Sequence, residues 1–187
     1  MKKIIFVVPA LFLMLSGIVN AHGPVRQKAE EDVTINAPAE KVWGIIKNFD
    51  DMSWHPGIKS VKADKGNEKG SVRVLALKDG GTISEELKKY DDKGMSYAYK
   101  ITDISTEKTI SHAGAEEKVP VLPVDNYSAT IDVTSNGNAT TVSWKAAYYR
   151  AYTNNNPPDE MNEDAANKAV TACLKSGLEN LKVLAEK

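Results

Sequence analysis

The sequence predicts an α+β domain, a curved antiparallel sheet of about seven strands wrapped around a long C-terminal helix. Three observations carry that expectation. A short alternating run followed by a helical run opens the domain. A series of strand-like runs joined by glycine-containing turns fills the middle. A helical pattern without turn signals occupies the end.

The chain begins MKKIIFVVPALFLMLSGIVNAHG. Lys2 and Lys3 precede an apolar run from Ile4 to Val19, and Ala21 ends the segment on a small residue. This is the form of a secretory signal peptide over residues 1–21, cleaved after Ala21, and it implies a periplasmic protein. Pro9, Ser16 and Gly17 interrupt the run, which argues against a membrane anchor. Residues 22–31, HGPVRQKAEE, read as a polar leader, and residues 32–187 as a single domain.

DVTINAP alternates Val33 and Ile35 with polar neighbours and reads as a strand. PAEKVWGIIKNF places Val42, Ile45, Ile46 and Phe49 at helical spacing, with Pro38 suited to the first turn. NFDDMSWHPGIKSV follows, and its KSVKA is a weak strand. SVRVLAL and TISEELKKY flank KDGG, where glycine accepts the positive φ of a tight hairpin. MSYAYKITDI is the next strand, and residues 105–124 read as one long irregular stretch. NYSATIDVT and TTVSWKAAYYRAY flank Asn136-Gly137, a strong hairpin signal. TNNNPP breaks the sheet. Beyond Glu160, Ala166, Val170, Cys173, Gly177, Leu181 and Leu184 share one stripe, much of it small enough to lie close against a sheet.

The formal net charge of −1 gives no support for nucleic-acid binding. Cys173 is the one cysteine, so no internal disulfide forms, and it reads as a small buried residue rather than a nucleophile. His22, His55 and His112 have no metal-ligand spacing, and no cofactor motif occurs. No catalytic residue is assigned.

The candidate ligand-cavity residues are Trp54, His55, Arg73, Glu85, Tyr97, Tyr99, Tyr127, Trp144 and Tyr148. Trp54-His55-Pro56 is either the rim of a pocket, with an indole face and an imidazole donor, or a packed corner stiffened by proline. Arg73 and Glu85 fall on opposite arms of the KDGG hairpin. If their faces point inward they form a charge pair able to orient a polar ligand group, because a buried charge must be paired. If outward, they are a cross-strand surface pair. Tyr97 and Tyr99 share one strand face, and Trp144 and Tyr148 another. They either line a cavity or fill the core.

The element order, with APAEKVWGIIKNFDDMSWHPGI, resembles the SRPBCC superfamily of START-like or Bet v 1-like helix-grip domains. GSVRVLALKDGGTISEELKKYDD, YAYKI, LPVDNYSATIDV, SWKAAYYRA and TNNNPP are similar to MxaD-type proteins, exported members associated with bacterial methanol oxidation. The connection through residues 103–119 is longer here than in that branch. The resemblance implies a non-enzymatic accessory role in electron transfer between methanol dehydrogenase and its cytochrome c. Contact would be made through exposed loops around Trp54-His55 and residues 105–124. A carrier of a small apolar or amphipathic ligand, anchored at Arg73, is the alternative, and a cyclase-like enzyme a third.

Overall fold

A computed structural model describes residues 23–187. The signal-peptide expectation and His22 lie outside the described residues. Seven strands form one antiparallel sheet in the order β1-β9-β8-β5-β4-β3-β2. These are β1 (Gln27–Ile35), β2 (Ile58–Ala63), β3 (Val72–Leu77), β4 (Thr82–Asp91), β5 (Ser96–Ile104), β8 (Val124–Asn136) and β9 (Ala139–Arg150). The remaining strands, β6 (Thr106–His112) and β7 (Ala115–Pro120), pair only with each other. Helix α1 (Ala39–Ile46) follows β1, and α2 (Glu163–Ala185) closes the chain after a short 3-10 turn. The expected sheet curled around a long C-terminal helix is therefore the observed fold. No described helix is long and apolar enough to cross a membrane.

Two local expectations are corrected. Residues 27–31 are not leader. They form the first half of β1, paired with β9 from Gln27↔Tyr148 onward. The segment looked like a leader because β1 is polar on both faces. Glu30 meets Lys145 on one side, and Glu31 faces Lys175 of α2 on the other. Residues 105–124 are not irregular either. They carry the β6–β7 hairpin, turned at Ala113 and Gly114, both at positive φ. Of its residues only Val119 is buried, so no apolar alternation marks it in the sequence.

Helix α1 starts after Pro38, whose carbonyl accepts from Lys41 and Val42. It buries Val42, Trp43 and Ile46, and the chain then drops Phe49 into the core. Helix α2 is capped by Asn162, whose side chain accepts from the Ala165 amide at 2.8 Å, with Glu163 and Asp164 in its first turn. Its buried face is Ala166, Val170, Leu174, Gly177, Leu178, Leu181 and Ala185. Cys173 and Leu184, expected on that face, sit at its margins, because a helix stripe broader than one row takes both i+3 and i+4 neighbours.

Candidate functional site

The concave face of the sheet does not close fully on α2. Between them lies a pocket of about 620 Å³. Its walls are the ends of β3 and β4 that meet at the Asp79-Gly80-Gly81 turn, Tyr99 and Ile101 of β5, and the small residues Ala169, Ala172 and Ser176 of α2. Val121 and Leu122, just after β7, cover one side.

Trp54-His55-Pro56 is a packed corner with one residue at the pocket. Trp54 is 1% exposed, its ring 5.6 Å from that of Trp144. Its carbonyl accepts from Asn180 of α2 at 2.7 Å. His55 lines the pocket, and its ring stands edge-on to Trp144. The Gly57 amide donates to His55 Nδ1 at 3.1 Å, so Nδ1 carries no proton. Nε2 therefore holds the hydrogen and donates to the Cys173 carbonyl at 3.1 Å. Burial pushes the His55 pKa below 6.5, the Cys173 carbonyl opposes this, and Arg73 and Lys78 reinforce it. The neutral imidazole thus fastens the corner to α2. Gly177 permits the approach, since a β-carbon there would lie 2.6 Å from His55 Cδ2. The expectation that the Trp54 and His55 side chains are exposed is corrected, because both are buried.

Arg73 and Glu85 face inward as a directly opposed cross-strand pair. Arg73 Nε donates to Glu85 Oε2 at 2.6 Å, and Nη1 donates to the Phe49 carbonyl at 2.9 Å. The guanidinium carbon lies 4.1 Å from the Phe49 ring centroid and 5.2 Å from that of Tyr99. A desolvated cation over aromatic faces gains about 2 kcal/mol. Arg73 is fully buried behind the pocket wall, whereas Glu85 lines the pocket. Arg73 is therefore not a ligand anchor; the pair presents its carboxylate. Burial raises the Glu85 carboxyl above the ordinary carboxylate range, against the pull of Arg73.

Of the aromatics, Tyr99, Tyr127 and Trp144 line the pocket. Tyr97 and Tyr148 do not; they fill the core, Tyr148 donating to Asn167 of α2 at 2.9 Å. Trp144 Nε1 donates to the Tyr99 hydroxyl at 3.1 Å, and the Tyr99 hydroxyl is in turn hydrogen-bonded to that of Tyr127. Burial, with Tyr127 and Glu85 nearby, holds the Tyr99 hydroxyl well above its ordinary pKa. The Tyr127 hydroxyl is held up by burial as well. Sequence reasoning missed Cys173, Ala169, Ala172 and Ser176 as pocket wall. The available signal was a second row of small residues beside the buried stripe of α2, where a helix borders open space. Burial pushes the Cys173 thiol up to about 12. Among the described residues, no group of three or more His, Cys, Asp or Glu side chains is placed to hold a metal ion.

Sheet, gripped helix and intervening pocket define a helix-grip domain of the Bet v 1-like fold. Residues 26–186 match the family described as polyketide cyclase / dehydrase and lipid transport, and the chain belongs to that family. Its match begins one residue before β1. A putative uncharacterized protein from Bacillus thuringiensis is 27% identical, with a TM-score of 0.65, over 86% of this chain and 100% of that one. The protein XoxI from Bacillus cereus is also 27% identical, with a TM-score of 0.64, over 84% of this chain and 94% of that one. The Zhui aromatase/cyclase from a Streptomyces species shares the fold at 17% identity, with a TM-score of 0.60, over 87% of this chain and 94% of its own. Structural neighbours thus include an enzyme as well as uncharacterised proteins. No curated protein matches the chain in sequence.

Proposed function

We propose that the protein is a non-enzymatic binder of a compact, largely apolar small molecule, held between the sheet and α2. One observation carries this reading. The pocket of about 620 Å³ is walled by Leu75, Leu77, Ile83 and Ile101, while its histidine and its thiol are not available as base or nucleophile. Both His55 nitrogens are hydrogen-bonded to backbone, and the Cys173 thiol stays protonated. The volume falls within the range of small-molecule sites, and apolar walls with few polar groups are their usual composition. The lipid-transport part of the family description supports the same direction.

Titration with the uncharged dye Nile red, alongside native mass spectrometry of the freshly purified protein, tests this. Wild type binds one dye per chain, and Ala172→Trp, which projects an indole into the pocket, abolishes binding without loss of fold. Equal dye binding by the variant, or turnover of a cyclisable polyketide substrate, refutes the reading.

A second reading keeps the partners implied by the resemblance, methanol dehydrogenase and its cytochrome c in the periplasm. The observation that favours it is the β6–β7 hairpin, a separate two-stranded sheet with exposed charges such as Glu107 and Lys108. Docking there, rather than at Trp54-His55, predicts that Lys108→Glu weakens any stimulation of methanol-dependent cytochrome reduction. No stimulation by wild type removes this reading.

A further inference from the structure

The polar groups that line the pocket have a specific chemistry. Asp79, Glu85 and Glu107 line the pocket, and no Lys or Arg does. Arg73 is fully buried and does not line the pocket; Nε and Nη1 go to Glu85 and the Phe49 carbonyl, and its face lies over two aromatic rings, while Nη2 stays unpartnered with no exposure to the pocket. An anionic ligand would meet carboxylates with no positive charge to offset its desolvation. Glu85 is 95% buried, and its Oε2 is bonded to Arg73. Its other oxygen finds no hydrogen-bond donor among the described residues, and the pocket is where the side chain is accessible. The Arg73–Glu85 pair is neutral as a unit. It offers an acceptor without demanding a counter-charge, and Asp79 and Glu107 are solvent-exposed, so a neutral donor beside Glu85 fits better than an ammonium ion that must lose its water there.

Beside that acceptor stand donors. Tyr99 is next to Glu85 on the inner face, since Glu85 pairs with Ile101 and Leu87 with Tyr99. Its oxygen takes the Trp144 N–H, and one hydroxyl hydrogen is shared between Tyr99 and Tyr127, which leaves the pair one to give to a ligand. Tyr127 lies on the neighbouring strand, its ring 6.3 Å from that of Tyr99.

We infer that this pocket selects an uncharged, hydroxyl-bearing apolar ligand, whose hydroxyl donates to Glu85 and accepts from Tyr99 or Tyr127, and that it rejects carboxylates of the same skeleton. The inference rests on the reading of the pocket as a ligand site. It moves the anchor of a small apolar or amphipathic ligand from Arg73 to Glu85 and the tyrosines.

The test uses four probes on one ring system: naphthalene, 2-naphthol, 2-naphthoate and 2-naphthylmethylammonium. Each displaces Nile red from the wild-type chain at neutral pH. The 2-naphthol binds about tenfold or more tighter than naphthalene and than either charged probe, the scale of one hydrogen bond to a charged group. Tyr99→Phe keeps the ring and the fold and cuts that advantage several-fold, while naphthalene binding stays the same. Naphthoate or the ammonium probe binding as tightly as naphthol overturns the inference and leaves the pocket reading standing. So does naphthalene equal to naphthol. Failure of all four probes and of the dye overturns the pocket reading itself.

Discussion

Replacing Gly177 by alanine places a methyl carbon 2.6 Å from His55 Cδ2 and 2.8 Å from Trp144 Cζ3. Neither ring can retreat. Trp144 packs against Trp54 and donates to Tyr99, and His55 is tied to backbone at both nitrogens. Forcing a methyl into such a core costs about 2–3 kcal/mol, the upper part of the overpacking range. Alanine regains about 1 kcal/mol of helix propensity over glycine. The net destabilisation is therefore about 1–2 kcal/mol. In a domain of this size that lowers the Tm by about 2–8 °C. Gly44 is the control. It is an exposed helix glycine in α1 with nothing within 4 Å of its would-be β-carbon. Gly44→Ala should therefore stabilise by about 0.5–1 kcal/mol. Thermal and urea unfolding of both variants, with His55→Ala and the His55→Ala/Gly177→Ala double variant, gives the coupling between positions 55 and 177. Stabilisation by Gly177→Ala equal to that by Gly44→Ala, or strict additivity of the 55 and 177 changes, would refute the claim that Gly177 exists to admit the His55 ring.

Three further outcomes follow from buried groups. The folded state holds the His55 pKa below 6.5, so its contribution to stability is complete above about 6.5 and is lost as pH falls from there toward the folded value. Urea titrations between about pH 7.5 and 5.5 should show stability falling by up to about 1.4 kcal/mol per pH unit, with that share of the slope absent in His55→Gln. Glu85→Leu strands a buried guanidinium and should cost about 3–5 kcal/mol, whereas Arg73→Met/Glu85→Leu should recover most of it; a double variant as unstable as the single one contradicts this. Cys173, pushed up to about 12 against an ordinary thiol near 8.5, should react roughly a thousandfold more slowly than a free thiol with iodoacetamide at pH 8. Mass spectrometry of the time course reads this, and the unfolded chain serves as the reactive control.

The fold was legible where one face of an element is apolar and the other polar. β3, β4, β5, β8 and β9 all alternate this way, and their turns carry glycine where positive φ is needed, as at Gly80 and Gly81. The first half of β1 and the β6–β7 hairpin were illegible for the same physical reason. Backbone pairing holds these segments, and hydrophobic alternation is the signature of burial rather than of strand geometry. β1 borrows its stability from β9 and from ion pairs to Lys145 and Lys175. β6 and β7 pair only with each other and latch to the rest through contacts such as His112 Nε2 to the Asn156 carbonyl at 2.8 Å.

The site shows where pattern reasoning stops. Register arithmetic found the Arg73–Glu85 pair, because parity fixes which side chains share a face. It could not find which partner looks into the pocket, since that depends on side-chain length. Arg73 reaches past the wall to the Phe49 carbonyl, while the shorter Glu85 stops at the surface of the cavity. Likewise, the tryptophan and histidine of one turn both pack on Trp144, yet only His55 reaches the pocket wall. Only the hydrogen bonds of His55 reveal that its imidazole is a fastener rather than a base. A pocket whose histidine is structural, whose thiol is protonated and whose acid is paired still has groups for the ligand selection proposed above. Glu85 and Tyr99 sit on adjacent strands of one sheet, so in that proposal the fold itself sets the selectivity.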